Sequence, residues 1–309
     1  MASVIVFGPT GNVGSITALT AADKGAKVAL AMRDTNKTIA GLSKEQEQAG
    51  NFTRVHADLL KPDTVAEAVK TTGAKRAYIY LAFGAQDHMR STIEALKSAG
   101  VELVVFLSSF TVPQDKPLRD VPPSDIIDYM HSQVEANLDE IYGSEGYVAL
   151  RCGSFATNLL RDKDGIVEGK VPLFASHTQF DNVTAQDMGE VGGVILANGQ
   201  RNGQSKVYIY GPELISHRQA IEKIGKAVGK DVKIQELSEE EAREHYKKFG
   251  FPPPFIDYFI RMLSKTWNGT AKDRFPSYDE GVENVKSYTG REPTTYDQWI
   301  QKNKELFTA

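Results

Sequence analysis

Short apolar runs alternate with amphipathic stretches through the first half of the chain. Val4–Phe7, Lys27–Met32, Phe52–His56, Ala77–Ala82, Leu103–Leu107 and Tyr147–Arg151 are rich in Val, Ile, Phe and Tyr, a composition that predicts strands. Between them, Val13–Lys24, Pro62–Thr71, Asp87–Ala99 and Asp125–Tyr142 carry helical periodicity. The last of these sets Ile127, Met130, Val134, Leu138 and Ile141 along one face, with Ser124 placed as an N-cap. Strand–helix alternation with nearly continuous apolar strands predicts an α/β fold, a doubly wound parallel sheet covered on both faces. The expected strand order is 3-2-1-4-5-6-7.

The pattern weakens after Cys152. Val207–Tyr210 reads as one more strand, Ser216–Val228 as a helix, Val232–Leu237 as a strand and Ser238–Phe249 as a charged helix. The turn-rich Phe251-Pro-Pro-Pro-Phe255 follows, a structural loop or a lid. Neither an internal repeat nor a low-complexity linker is visible. The expected division is a sheet domain over residues 1–153 and a smaller cap, or substrate region, over 154–309. Some segments of the cap should return to the sheet.

Composition narrows the class. The chain has 309 residues, 36 Lys+Arg against 40 Asp+Glu and a net charge of −4. Hydrophobic residues at 41% and charged residues at 25% are globular values and exclude disordered or fibrous proteins. Slight acidity without a Lys/Arg cluster argues against a nucleic-acid partner. Cys152 is the one cysteine, so no internal disulfide or thiolate metal cage forms, and the chain reads as cytoplasmic. The first residues lack a basic leader and read as a strand, and no apolar run approaches the ~18 residues of a membrane span. Four Asn-x-Thr matches, at Asn36, Asn51, Asn182 and Asn268, carry no weight without a secretion signal.

The candidate chemistry begins at Gly8-Pro-Thr10-Gly11-Asn12-Val13-Gly14, which follows the first strand and opens the first helix. Glycines there allow a tight turn and close approach to a pyrophosphate, and the helix N-terminus offers unpaired N–H groups. This is the pattern of dinucleotide binding. At the end of the second strand an acidic residue serves the ribose hydroxyl of NAD, whereas an arginine accommodates the 2′-phosphate of NADP. Arg33, with Lys37 nearby, points to NADP(H); Asp34 follows directly and suits a ribose hydroxyl.

With these residues the chain resembles the NmrA-like branch of atypical short-chain dehydrogenases. The resemblance rests on Gly8–Gly14, Arg33, Ala57-Asp58-Leu59 and Leu81-Ala82-Phe83. It extends through His131-Ser-Gln-Val-Glu135, Arg151, Phe155-Ala-Thr-Asn158 and Gly290-Arg-Glu-Pro293 before Trp299. That branch includes redox-sensing regulators, an NADPH sensor, quinone reductases and isoflavone-reductase relatives. The resemblance implies that Gly8 to Gly14 hold the pyrophosphate and Arg33 the 2′-phosphate. Asp58 and Leu59 would bracket the adenine, Leu81, Ala82 and Phe83 would line the ribose side, and Phe155 to Asn158 would lie near the nicotinamide.

The reacting end departs from the usual dehydrogenase pattern, in which a Tyr donates a proton with a Lys four residues later. Aligned through Glu135, the Lys position is His131 and the Tyr position is Ile127; Tyr129 lies on another helical face. Ser108 and Ser109 are candidates for the accompanying serine. His131 has three roles open to it: proton donor, ribose contact in place of Lys, or partner of Glu135. His56, His88, His177, His217 and His245 show no metal-ligand spacing and read as surface or core residues, and no metal is expected. Cys152, in apolar company, reads as an inert thiol.

Three functions compete. The first is an NADPH-dependent reductase of a small quinone-, enone- or imine-type metabolite, with Phe174, Phe180, Phe251, Phe255, Tyr258, Phe259 and Trp267 supplying a pocket or core. The second is an NADP(H)-sensing regulator that binds a protein partner. The third is a non-redox isomerase or cyclase on the same fold.

Overall fold

The computed structural model describes residues 2–265 and 271–308; Trp267 and Asn268 lie outside them. Eleven strands are described: β1 Ser3–Phe7, β2 Lys27–Met32, β3 Phe52–His56, β4 Arg76–Tyr80, β5 Leu103–Ser109, β6 Tyr147–Cys152, β7 Lys170–Leu173, β8 Gln179–Phe180, β9 Lys206–Ile209, β10 Ile215–Ser216 and β11 Lys233–Glu236. Seven form one sheet in the order β3-β2-β1-β4-β5-β6-β9, and every pairing in it is parallel. The expected topology is the observed one, with the seventh position filled by β9. The fourth strand ends at Tyr80, so Leu81 and Ala82 belong to the following turn.

Alternation along each strand divides the core between two faces. Val4 and Val6 pack with the helices Asn12–Asp23 and Ala185–Asn198, whereas Ile5 and Phe7 pack with Pro62–Thr72, Arg90–Ser98 and Ile126–Tyr142. The helix Ala185–Asn198 gave no amphipathic signal because nearly all of it is buried. Its glycines meet the helix Asn12–Asp23 at close range. A Cβ on Gly189 would lie 2.6 Å from Ile16 Cβ, and one on Gly193 2.6 Å from Thr20 Cβ. Residues 185–209 of the second half therefore complete the sheet domain.

Three other expectations are corrected. Ser124 does not cap the helix Ile126–Tyr142; the N-cap position is Asp125, with no side-chain cap bond. Arg261 instead donates to Asp125 Oδ1 and to the Ser124 carbonyl, both at 2.7 Å, which turns this entry toward the C-terminal part of the chain. The helix expected from Asp87 begins at Arg90, because His88 and Met89 adopt left-handed φ of 49° and 63°. Phe251–Phe255 is not all loop: Pro253 starts the helix Pro253–Ser264, where proline fits the first turn. The smaller part also has a core of its own, around Leu159, Ile166, Val171, Ile221, Trp299 and Phe307.

Candidate active site at the carboxyl edge of the sheet

Because the sheet is parallel, the residues that follow β1 to β6 gather along one edge. Strand order reverses between β1 and β4, which opens a crevice there. Gly8 turns the chain at φ +69°, and a Cβ on it would come 2.6 Å from the Tyr80 ring. Gly14 packs so tightly that a Cβ would lie 2.3 Å from the Gly8 carbonyl oxygen. Neither position accepts a side chain. Thr10, Gly11 and Asn12 are exposed, whereas Val13 and Gly14 are buried. Among the described residues, the N–H groups of Asn12, Val13 and Gly14 have no backbone acceptor, so the helix offers free donors at its positive end.

At the end of β2, Arg33 and Lys37 are both exposed, and among the described residues neither side chain is engaged in a hydrogen bond or ion pair. Arg54 on β3 shapes this loop: it donates to the Thr35 and Lys37 carbonyls at 2.6 and 2.7 Å while paired to Glu47. Asp34 caps its own turn, accepting from Asn36 N–H at 3.0 Å. After β3, Asp58 likewise accepts from Leu60 N–H at 3.0 Å, and Leu59 is buried in the core. The apolar surface at this end is Leu60, 46% exposed, together with Phe83, 60% exposed, after β4. Leu81 and Ala82 beside Phe83 are buried.

Ser108 and Ser109 end β5 with different commitments. Ser108 is buried and donates to Glu135 Oε1 at 2.5 Å, whereas Ser109 shares a 2.9 Å hydrogen bond with Thr111. Glu135 is also paired with Arg151, so of the roles open to His131 the hydrogen-bonded pairing with Glu135 is not the one adopted here. The imidazole is held instead by the Ile127 carbonyl, 2.8 Å from Nδ1. A carbonyl only accepts, so Nδ1 carries the hydrogen and Nε2 of the neutral ring is an acceptor. Burial pulls the His131 pKa below its ordinary value, against smaller raising effects from the Ile127 carbonyl and Glu135. Cys152 is buried, and burial pushes its thiol well up, away from the reactive thiolate.

Beyond β6, the turn Ser154–Asn158 forms one wall of a cavity of about 150 Å³. Phe174, Phe180, Phe251 and Phe259 supply its apolar surface, so four of the aromatic residues singled out from sequence line one space; Phe255 and Tyr258 lie outside the lining. Tyr258 donates instead to Asp128 Oδ1 at 2.9 Å. Asp162, His217 and His245 bring polar groups into the same cavity. His217 Nε2 lies 3.1 Å from Asp162 Oδ2, and burial lowers the His245 pKa. Sequence reasoning left these three among ordinary residues, because no local spacing links positions 55 apart. It also missed Tyr80, Leu60 and Arg54, whose roles arise only when neighbouring strands align.

The chain belongs to the NmrA-like family, whose model matches residues 1–300. The nitrogen metabolite regulation-like protein bik4 of Gibberella fujikuroi is 35% identical over 97% of this chain and 95% of its own length. A (4-alkanoyl-5-oxo-2,5-dihydrofuran-3-yl)methyl phosphate reductase of Streptomyces griseus is 22% identical over 98% of this chain and 99% of its own. Among solved structures, an NADPH-dependent quinone oxidoreductase of Escherichia coli complexed with NADPH aligns with a TM-score of 0.73 at 20% identity, covering 97% of this chain and 99% of that one. Triphenylmethane reductase of Citrobacter complexed with NADP(H) aligns at 0.67 and 15% identity, covering 97% and 99%. At these identities the structures establish the shared fold. Among the described residues, no helix is long and apolar enough to cross a membrane, and no three His, Cys, Asp or Glu side chains converge as metal ligands.

Proposed function

We propose that this member of the NmrA-like family binds NADP(H) and reduces a small quinone-, enone- or imine-type molecule. The residues of the crevice fit the cofactor. The free N–H groups at Asn12, Val13 and Gly14 suit a pyrophosphate, and the exposed Gly11 backbone permits its close approach. Arg33 and Lys37, unengaged by any partner among the described residues, suit the 2′-phosphate. Asp58 and Leu59 set the turn that presents Leu60 toward the adenine side, with Leu81, Ala82 and Phe83 opposite. The acceptor Nε2 of His131 suits a ribose hydroxyl, and Phe155 and Asn158 suit the nicotinamide end. When bound, the reduced cofactor supplies a hydride.

The observation that carries the reading is the cavity. It starts at the Ser154–Asn158 turn on the carboxyl edge and continues into aromatic walls sized for a small planar molecule. The test is the loss of NADPH absorbance against a panel of quinones, enones and imines. Turnover of at least one is expected. Tight NADPH binding with no turnover across the panel would overturn it.

The regulator relative at 35% identity favours a second reading, an NADP(H) sensor that passes the cofactor's redox state to a protein partner. It predicts binding without turnover, together with a partner retained on immobilised protein in only one of the two cofactor states.

A further inference from the structure

Reduction of a carbonyl or imine consumes a proton as well as a hydride, and the helix Ile126–Tyr142 carries Ile127 where a tyrosine donor would stand. We propose that His217, oriented by Asp162, gives that proton to the substrate in the aromatic cavity. The proposal rests on the reductase reading above. Both residues line the cavity, and their side chains are only 19% and 10% exposed, so the pair is withdrawn from the screening that empties surface ion pairs of effect. The Asp162 carboxylate accepts hydrogen bonds, which places the hydrogen of His217 on Nε2 and leaves Nδ1 as the exchanging nitrogen. A carboxylate held against one imidazole nitrogen fixes the ring's tautomer and stabilises the imidazolium that the other nitrogen needs in order to donate.

Backbone on both sides is firmly held. His217 is the first residue of the helix His217–Ala227, behind a capping box in which Ser216 and Gln219 bond reciprocally, and its own N–H donates to the Thr178 carbonyl at 3.0 Å. Asp162 ends the 3₁₀ helix Ala156–Asp162, so one short rigid element carries Asn158 at the sheet edge and the carboxylate at its far end. The other charged groups around the ring are accounted for. Arg161 and His245 line the same cavity, and Arg218 is paired with Glu236 at 2.6 Å. Arg274 lies over the Phe180 ring at 4.8 Å, while the edge of that ring meets His217 with centroids 6.2 Å apart.

In the step itself, the hydride and its electron pair add to the substrate carbon. The Nδ1–H bond breaks as an O–H or N–H bond forms on the substrate. His217 is left neutral and takes a proton from water before the next turnover.

The test compares wild type with His217→Asn, His217→Gln and Asp162→Asn. NADPH affinity, measured by fluorescence titration, should stay within about twofold in all three, which reports an intact fold. Turnover should fall about 10²–10⁴-fold in the His217 variants, the usual effect of losing a general acid. The wild-type rate should decline toward alkaline pH, and that decline should vanish in His217→Gln. Nitrogen NMR of the cofactor-free protein should find His217 as the Nε2–H tautomer in wild type, and that preference should be lost in Asp162→Asn. Unchanged turnover and pH profile in either His217 variant that binds NADPH would overturn the proposal while leaving the reductase reading intact, as would an Nδ1–H tautomer. A wild type that turns over none of the panel would overturn both.

Discussion

Arg151 Nη2 lies 2.7 Å from Glu135 Oε2, and the two side chains are 1% and 0% exposed. Around this pair, Ser108 donates to Glu135, and Arg151 donates to the Val112 carbonyl at 3.2 Å and to the Tyr208 hydroxyl at 2.9 Å. The helix Ile126–Tyr142, three strands and the turn after β5 are thus tied together directly beneath the site. A buried pair of this kind adds little over well-packed apolar residues, but removing one partner strands a charge where no water reaches it.

Arg151→Met should therefore destabilise the fold by about 3–5 kcal/mol. At roughly 2–4 °C per kcal/mol for a chain somewhat shorter than this one, the melting temperature should drop by on the order of 10 °C. The double change Arg151→Met with Glu135→Met should recover most of the loss. Calorimetry of both variants against wild type decides it: a single mutant melting with wild type would mean that the network holds nothing together.

For the cofactor, the freedom of Arg33 sets the expectation. Arg33→Ala should cost on the order of 1.5–3 kcal/mol of NADPH affinity, the usual contribution of hydrogen bonds to a charged group, and should barely change NADH binding. Titration calorimetry with both cofactors is the check. Equal losses would place the 2′-phosphate elsewhere.

The sheet was legible because its strands are apolar nearly throughout and recur at βαβ spacing. The glycine turn was legible because Gly8 and Gly14, which admit no side chain, stand with Gly11 in one short segment after the first strand. The helix Ala185–Asn198 was not, since Gly189, Gly192 and Gly193 replace the bulky residues that would have marked a packing face. Nor was the link between Asp162 and His217, which depends on how β10 and the following helix settle against a distant turn. Periodicity reports what a segment buries and is silent on which distant residue it meets.

Asp181 offers a test by pH. Burial pushes its carboxyl from the ordinary 3.8 up to about 7, although the Ser154 and Gly211 N–H groups that bond it pull the other way. The folded protein then holds a proton that the unfolded chain has lost between those values. Folding takes up that proton, so this group's contribution to stability falls as pH rises from about 3.8 toward 7 and levels off above. Asp181→Asn cannot titrate, so its melting temperature should gain on wild type across that range. Parallel melting curves at all pH values would refute the shifted carboxyl.

The last prediction concerns His131, where two roles give opposite kinetics. Its Nδ1–H is committed to the Ile127 carbonyl, and burial holds the ring neutral by lowering its pKa. A neutral ring with Nδ1 occupied has only the Nε2 lone pair to offer, which accepts from a ribose hydroxyl but has no proton to give. His131→Ala should accordingly weaken NADPH binding while turnover at saturating cofactor stays within about tenfold, because a contact made equally in ground and transition states leaves the chemical step alone. The alkaline decline in rate should survive the substitution, since the proton is assigned to His217. A loss of about 10²–10⁴-fold in turnover together with the disappearance of that decline would instead identify His131 as the acid. It would also require the buried ring to carry a second proton, on Nε2, while Nδ1–H stays with the Ile127 carbonyl, and burial opposes that charged form.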